Sequence, residues 1–141
     1  MTIEQVSVFI ENRPGCLVEI LTLLGENNID LRAYSVAEKT EFGVLRMLVD
    51  RPDAAVACLK GQGFTAKKTE ILGVMIPHVP GGSVRVIKAL SDAGINMEYT
   101  YAFVIPKADC ALLLLRVKDN VAAEAALAAV GVETVGTETL Y

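Results

Sequence analysis

Residues 12–15 of the chain read Asn-Arg-Pro-Gly, and residues 78–81 read His-Val-Pro-Gly. The two Pro-Gly pairs lie 66 positions apart, and the same offset carries residues 29–31, Ile-Asp-Leu, onto residues 95–97, Ile-Asn-Met. An offset of 68 relates four further pairs, which are Val49 with Val117, Leu59 with Leu127, Gly63 with Gly131 and Leu72 with Leu140. The repeat predicts a duplicated unit with a small change of length between its copies.

Length and charge restrict the class of protein. The chain has 141 residues, of which 52% are hydrophobic and 21% are charged, and its net charge is −4. Because units of about 70 residues are marginally stable alone, we expect two domains, 1–72 and 73–141, packed as one body. The acidic balance argues against nucleic acid or an anionic membrane as a partner. The adjacent basic pair Lys67-Lys68 is interpreted as a solvated strand end.

The length of the apolar runs and the spacing of the cysteines indicate the cellular compartment of the protein. The longest apolar run, residues 111–115, ends at Arg116 and is far shorter than the roughly 20 residues of a membrane span. The first five residues contain an acid and no basic region typical of a secretory signal. Cys16, Cys58 and Cys110 form no Cys-x-x-Cys pair, which favours a reducing compartment without structural zinc. We therefore expect a cytoplasmic protein without metal or cofactor, with Cys58 and Cys110 as small buried side chains.

The period of the apolar residues predicts the elements of the first copy. Alternation at residues 6, 8 and 10 is typical of a half-buried strand, and helical spacing from Leu17 to Leu24 predicts an amphipathic helix that stops at 25–28. The remaining predicted elements are strands at 30–37 and 44–50 around a turn at 39–43, a helix at 52–60 with proline in its first turn, and a strand at 65–72.

The second copy is predicted to repeat this order. Its elements are a strand near 74–76, a helix ended by Gly94, strands at 96–105 and 111–118 around a turn at 106–109, a helix at 121–129 and a strand at 133–140. Four residues of its first helix are expected to share the buried face: Val84, Ile87, Leu90 and Ala93. The order βαββαβ places both helices on one face of a four-stranded antiparallel sheet. The predicted fold class is α+β, with two ferredoxin-like units in tandem.

Residues 10–17, Ile-Glu-Asn-Arg-Pro-Gly-Cys-Leu, followed by Asn-Ile-Asp-Leu at 28–31, resemble the ACT domain. Within it they are similar to the serine-sensing regulatory domain of phosphoglycerate dehydrogenase and to the small subunit of acetolactate synthase. The resemblance covers both copies and implies a regulatory module that binds an amino acid. In the serine-binding relatives, a His two positions before the first Asn and a second Asn in the next strand contact the ligand. Here those positions hold Ile10 and Asp30, although Asn96 keeps the second Asn in copy two.

The chemistry of the Pro-Gly turn agrees with that implication. At a helix N-terminus, the backbone N–H groups of Gly15, Cys16 and Leu17 should be unpaired, with the helix dipole behind them, which favours a carboxylate. Glycines at 81–82 let a ligand approach the backbone closely. Three side chains could offer oxygens to a ligand ammonium group, namely Asn12, Asp30 and Asn96. A bare Pro-Gly turn is more simply a strand-to-helix connection, but its duplication and the longer match favour a binding site.

Side-by-side pairing of the copies, which is common for ACT domains, would make two related sites. One would combine Asn12, Arg13 and Gly15 with Asn96 and Met97, and the other would combine His78, Val79, Gly81 and Gly82 with Asp30 and Leu31. Cys16 and Leu17 are further ligand-binding candidates through their backbone N–H groups. In the second site, Asp30 would face the ligand ammonium, and a nearby His78 could make binding pH-dependent. The apolar candidates Leu17, Leu31 and Met97 favour a hydrophobic or aromatic amino acid.

Some of these residues also have purely structural interpretations. Arg13 could form a salt bridge across a dimer or be solvated, and Cys16 is more simply a small packing residue. Tyr99, Tyr101 and Phe103 alternate along one strand, which is typical of sheet or interface packing rather than of base stacking.

Several functions remain open from the sequence. With one His, no phosphate-binding glycine loop and no cluster of ligand-spaced His, Asp or Glu, an enzyme is not expected. We expect an amino-acid sensor that conveys ligand occupancy to a separately encoded metabolic enzyme or changes its own assembly. The alternative is an ACT-like adaptor that mediates protein-protein contacts without a ligand, and a small enzyme on this frame is a third hypothesis. Edge strands of small tandem sheets favour a homodimer.

Overall fold

The computed structural model describes residues 1–38 and 40–141. The chain forms two compact units, which we call the first unit, residues 4–69, and the second unit, residues 1–3 with 70–141. The domain limits 1–72 and 73–141, drawn from the repeat, stay a prediction. Lys39, in the predicted turn at 39–43, lies outside the described residues.

The first unit has the predicted order of strands and helices. Its elements are β1 (Ile3–Glu11), α1 (Cys16–Glu26), β2 (Leu31–Glu38), β3 (Phe42–Val49), α2 (Pro52–Gly61) and the start of β4 (Ala66–Pro77). The strands lie in the order β2-β3-β1-β4, and β3 is antiparallel to both of its neighbours. The predicted βαββαβ unit with an antiparallel sheet is confirmed.

The core of the first unit follows from the register of β1 and β3. Val8 lies opposite Leu45 and Val6 opposite Met47, and directly opposed residues share a face of the sheet. That face packs against apolar residues of both helices. The buried cluster contains Val6, Val8, Ile10, Cys16, Ile20, Leu24, Ile29, Leu45, Met47, Val49, Ala55, Leu59 and Ala66. Cys16 is therefore a packing residue, at 2% exposure.

The C-terminal end of α1 is held by an arginine that the sequence did not single out. Gly25 lies inside the helix, and the left-handed residue that ends it is Asn28, with φ 56°. Nη2 of Arg51 donates hydrogen bonds to the carbonyl oxygens of Asn27 at 2.9 Å and Asn28 at 2.6 Å. Arg51 thus satisfies carbonyl groups that a helix end leaves without partners.

The second unit repeats the arrangement. It contains the rest of β4, then α3 (Val84–Asp92), β5 (Met97–Ile105), a 3-10 turn (Pro106–Ala108), β6 (Cys110–Val117), α4 (Asn120–Ala128), β7 (Thr134–Val135) and a 3-10 turn (Thr137–Leu140). The strands lie in the order β5-β6-β4-β7. Its buried cluster contains Leu72, Val74, Ile76, Val86, Ala89, Leu90, Ala111, Leu113, Leu115, Val117, Ala123 and Leu127.

The predicted strands at 65–72 and 74–76 are one strand, β4. Gly73 stays in the ladder because it pairs with Leu114 on one side and with Val135 on the other. A β-carbon at position 73 would lie 2.5 Å from Cδ1 of Ile3, so glycine leaves room for the Ile3 side chain in its present position.

The predicted last strand, 133–140, is wrong beyond its first residues. Only Thr134–Val135 is a strand, and it pairs with β4 at two positions. The N–H of Thr139 then donates to the carbonyl of Gly136 at 3.1 Å, which forms a turn and buries Leu140 at 5% exposure. In a continuing strand, Leu140 would face the side opposite to Val135, since the two are an odd number of residues apart.

The predicted buried face of α3 is also partly wrong. Leu90 is buried and Ile87 is partly buried, as predicted, whereas Val84 is 60% exposed and Ala93 is also exposed. The buried positions that the prediction missed are Val86 and Ala89. Two residues rotate an α-helix by about 200°, so Val84 lies on the side opposite to Val86. Gly94, with φ +72°, follows the helix end as predicted.

Smaller predictions on cysteines and lysines also differ from the structure. Cys58 and Cys110 are half-buried rather than buried, because they lie on the flank of α2 and at the first position of β6. Lys68 is not simply solvated, since its Nζ lies 2.6 Å from a carboxylate oxygen of Asp53 and 3.3 Å from one of Glu4.

In the described part of the chain, no helix is long and apolar enough to cross a membrane.

Candidate functional site

Residues 12–15, the first loop, connect β1 to α1. Gly15 precedes the helix with φ +91°, a left-handed conformation that a side chain would strain. The N–H of Cys16 donates to the carbonyl of Arg13 at 3.5 Å, so it is not unpaired as expected. The next N–H groups of the first turn, those of Leu17 and Val18, have no partners within the helix.

The first loop is attached to the end of the β2–β3 hairpin. The backbone N–H of Asn12 donates to the carbonyl of Glu41 at 3.0 Å, and its side-chain Nδ2 donates to the carbonyl of Thr40 at 3.5 Å. The Oδ1 of Asn12 keeps its capacity to accept a hydrogen bond from a ligand ammonium group. The sequence did not place the hairpin end beside this loop, because the two are about 28 positions apart.

Arg13 forms ion pairs within its own unit. Its Nε lies 2.9 Å from Oε2 of Glu11, and its Nη2 lies 3.0 Å from Oε2 of Glu19. Hydrogen bonds to Glu19, and then to Glu11, raise the pKa of the Arg13 guanidinium. With 47% of its side chain exposed, Arg13 is neither fully solvated nor dependent on a second chain for a partner.

Four predicted site residues of the first loop and helix line one cavity of about 180 Å³. Its lining consists of Ile10, Glu11, Asn12, Arg13, Cys16, Leu17, Val36 and Gly43. The sequence did not assign Glu11, Val36 or Gly43 to a site. The pairing of β1 with β3 explains the position of one of them, because Gly43 lies directly opposite Ile10 and therefore beside the first loop. Gly15 lines a different, open groove of about 450 Å³ along α1.

The predicted residues Asp30 and Leu31 lie at the other end of α1. The helix has 11 residues and is therefore about 16 Å long. The N–H of Asp30 donates to Oδ1 of Asp50 at 3.0 Å, and the N–H of Asp50 donates to the carbonyl of Asp30 at 3.2 Å. Within the first unit, these two residues are not brought together with the first loop.

Residues 78–83, the second loop, are built differently from the first. The N–H of Gly82 donates to the carbonyl of Val79 and that of Val84 donates to the carbonyl of Gly81, each at 3.0 Å. Gly81 has φ +74°, and a β-carbon at Gly82 would collide with the carbonyl oxygen of Pro77. The backbone of the loop itself therefore requires both glycines. His78 and Val79 are exposed, and the N–H of His78 donates to the carbonyl of Asp109 at 3.5 Å.

Asn96 and Met97 line a cavity of about 400 Å³ in the second unit. Its other lining residues are Ile87, Leu90, Ser91, Gly94 and Ile95. This cavity lies at the C-terminal end of α3, whereas the second loop precedes the N-terminal end of the same helix. The grouping of the predicted residues into two sites stays a prediction. Among the described residues, no three His, Cys, Asp or Glu side chains are grouped so that they could hold a metal ion.

Comparison with known families gives the class of protein. A family model described as an ACT domain pair matches residues 1–136. The chain belongs to the ACT domain pair family, which confirms the resemblance of the Pro-Gly segments. An ACT domain pair is a regulatory domain rather than a catalytic one, and it is typical of proteins that sense amino acids.

Solved structures share the fold over nine-tenths or more of the chain. Protein BT0572 from Bacteroides thetaiotaomicron is 33% identical, with 100% of this chain and 96% of that chain covered and a TM-score of 0.91. The ligand-free regulatory subunit of aspartate kinase from Thermus thermophilus is 17% identical, with coverages of 90% and 89% and a TM-score of 0.66. The corresponding subunit from Thermus flavus is 19% identical, with the same coverages and a TM-score of 0.62. The Thermus structures share the fold alone. No curated protein matches the chain.

Proposed function

We propose that this protein binds a free amino acid and conveys ligand occupancy to a separately encoded enzyme of amino-acid metabolism. The observation that carries the proposal is the first loop of an ACT domain pair. There a left-handed Gly15 precedes α1, while Asn12, Arg13, Cys16 and Leu17 line one cavity. The loop thus offers donors for a carboxylate and an acceptor for an ammonium group within one small volume.

The two ends of an α-amino acid have distinct partners in this arrangement. The carboxylate accepts hydrogen bonds from the first turn of α1, where the helix dipole favours negative charge. The guanidinium of Arg13 adds a charged donor at the same end. The ammonium group donates to Oδ1 of Asn12, which the hairpin contacts hold in position. Leu17 contributes an apolar wall for the ligand side chain.

The proposed ligand-binding set extends to the equivalent positions of the repeat. It includes Asp30 and Leu31 of the first unit and a group in the second unit, namely His78, Val79, Gly81, Gly82, Asn96 and Met97. Gly81 and Gly82 are required by the backbone conformation of their own loop. His78 and Val79, which are exposed, are therefore the residues of that loop that would contact a ligand.

A separate partner enzyme is suggested by the kind of protein that shares this fold. The Thermus proteins are, by their names, regulatory subunits of aspartate kinase, and the fold match covers about nine-tenths of both chains. A chain of this size and fold therefore suits a role as the regulatory part of an assembly. We also propose a homodimer, because β2 and β5 are terminal strands of the sheet order and a free strand edge favours pairing.

Thermal unfolding with each of the twenty common amino acids tests the proposal. A ligand that binds only the folded state, present at 100 times its Kd, stabilises that state by about 2.7 kcal/mol. The melting temperature should rise by roughly 5 to 10 °C for a chain of this length. The shift should be lost in Asn12→Ala and kept in Asn27→Ala. Asn27 is a matched control because its amide also donates to a backbone carbonyl, that of Leu23 at 2.8 Å, at the far end of α1.

A further inference from the structure

A second cavity of the first unit adjoins the smaller one, with which it shares Ile10, Glu11, Arg13 and Cys16. Its volume is about 310 Å³, within the range of small-molecule sites. Its lining includes three phenylalanines, Phe9, Phe42 and Phe64, and three charged residues, Glu11, Arg13 and Glu19. The other lining residues are Ile10, Cys16, Gln62, Gly63 and Thr65. The cavity therefore has an aromatic part and a charged part.

The aromatic part is set by the register of β1 and β3. Glu11 lies directly opposite Phe42, and Phe9 lies two positions before Glu11, so the three side chains project from one face of the sheet. Phe9 is 56% exposed and Phe42 is 54% exposed. Neighbouring aromatic side chains left this exposed indicate a surface that another apolar group covers.

The cavity lies beside the part of β1 that extends past the start of β4. The N–H of Phe9 donates to the carbonyl of Thr65 at 3.0 Å, and β4 begins at Ala66. Gly63, with φ +85°, redirects the chain just before this point, and Phe64 packs partly against the core. The edge of β1 beyond Phe9 thus faces the cavity instead of the start of β4.

The charged part holds two carboxylates and one guanidinium. All three side chains are about half exposed, at 63%, 57% and 47% for Glu11, Glu19 and Arg13. Exposed ion pairs contribute little to stability and exchange partners readily. Glu11 lines both this cavity and the smaller cavity that Asn12 lines. A zwitterion can therefore place its carboxylate on Arg13 and its ammonium on a released Glu11 and Oδ1 of Asn12, so that every charge remains paired. A ligand with an additional negative charge would be repelled by the surplus carboxylate.

We infer that this cavity binds a zwitterionic amino acid with an aromatic or large apolar side chain. Arg13 holds its carboxylate, and Glu11 and Asn12 hold its ammonium group. Phe9, Phe42 and Phe64 cover its side chain. The inference rests on the proposed function and names its ligand class. It assigns specificity to phenylalanines that lie outside the Pro-Gly motif.

Calorimetric titration of the full chain tests the assignment with chosen ligands. The ligands are phenylalanine, tyrosine, leucine, glycine and aspartate, with 3-phenylpropionate and phenethylamine as analogues that lack the ammonium or the carboxylate. At least one of the first three should bind, and glycine and aspartate should bind at least tenfold more weakly. Each single-charge analogue should lose about tenfold in affinity, since one charged hydrogen-bonded contact is worth at least that much.

Substitution of two aromatic residues tests whether binding depends on this cavity or on the first unit in general. Phe42→Ala should weaken binding by about tenfold through lost aromatic contact. Tyr34→Ala is the matched control, because Tyr34 is also half exposed in the first unit, at 50%, yet does not line the cavity. It should change affinity by less than about twofold. Phe9→Ala provides an independent variant with the same expected loss if Phe42→Ala fails to fold.

The outcomes distinguish this inference from the proposed function. Binding of a small or acidic amino acid that depends on Asn12 but not on Phe42 or Phe9 overturns the inference and leaves the proposed function intact. Unchanged affinity in both phenylalanine variants, with an altered mass in solution, also overturns it and makes these residues a contact between copies. Absence of binding by any amino acid to the folded protein overturns both.

Discussion

Nη2 of Arg13 lies 3.0 Å from Oε2 of Glu19, which joins the first loop to the first turn of α1. The same guanidinium reaches Glu11 at the end of β1 through Nε, at 2.9 Å. Arg13 therefore ties together the three segments that surround the Pro-Gly turn. In our account, a ligand binds by exchanging these internal ion pairs for its own charges.

That exchange predicts a salt effect on binding. Charged contacts at half-exposed sites are screened by ions, so affinity should fall as sodium chloride is raised from about 0.05 to 0.5 M. Arg13→Gln should weaken binding by about tenfold and flatten this dependence, since it removes a charge-assisted contact to the ligand carboxylate. Calorimetry at the two salt concentrations measures both effects, with Lys60→Gln as the control on α2. A variant that binds as tightly as the wild type, with the same salt dependence, would contradict the role of Arg13.

Gly73→Ala should destabilise the second unit. The new β-carbon would lie 2.5 Å from Cδ1 of Ile3, and overpacking of this kind costs about 1 to 3 kcal/mol. Adding Ile3→Val removes the methyl group in conflict and should restore part of the loss. Gly61→Ala is the control, because a β-carbon added there, at the end of α2, would have no atom within 4 Å. Urea unfolding of the four proteins gives the free energies, and equal stability of Gly73→Ala and wild type would refute the packing argument.

Arg51→Ala should remove the cap of α1. Its guanidinium supplies hydrogen bonds to two carbonyl groups at the helix end, so its loss should lower the free energy of unfolding by about 1 kcal/mol. Lys60→Ala, which removes a basic side chain from α2 without a cap, should cost less than about 0.5 kcal/mol. Equal unfolding midpoints for the two variants would show that Arg51 does not act as a cap.

The ion pairs of Lys68 predict a stability change at alkaline pH. Hydrogen bonds to Asp53, and then to Glu4, raise the pKa of Lys68 above its usual value of 10.5. The resulting stabilisation is complete below the unfolded-state pKa and is lost as the pH rises through the higher folded-state value. At low salt, wild type should therefore lose slightly more stability than Lys68→Gln above about pH 10. Parallel pH profiles of the two proteins, measured by urea unfolding, would count against these pairs.

Most of the fold was predictable because its elements have clear local signals. Alternation at residues 6, 8 and 10 and the Pro-Gly turns indicated where strands give way to helices, and the structure confirms that order. The continuity of β4 was not predictable, since it depends on pairing of Gly73 with strands far along the chain. The turn at 137–140 depends likewise on burial of Leu140 in the completed unit.

The candidate site was predictable only in its local part. The first loop carries its own signal in the residues 12–15, but the partners of Arg13 lie two and six positions away and follow from the path of the chain around the turn. The aromatic part of the 310 Å³ cavity depends on the register that sets Phe42 opposite Glu11. No short stretch of sequence contains that register.

The most direct test of amino-acid sensing is calorimetric titration of the full chain with the twenty common amino acids, each against wild type and Asn12→Ala. At least one amino acid should bind the wild type, and its affinity should fall by about tenfold in the variant. A wild-type protein that melts cooperatively, yet gives no binding heat with any amino acid at several temperatures, would show that the chain does not sense amino acids.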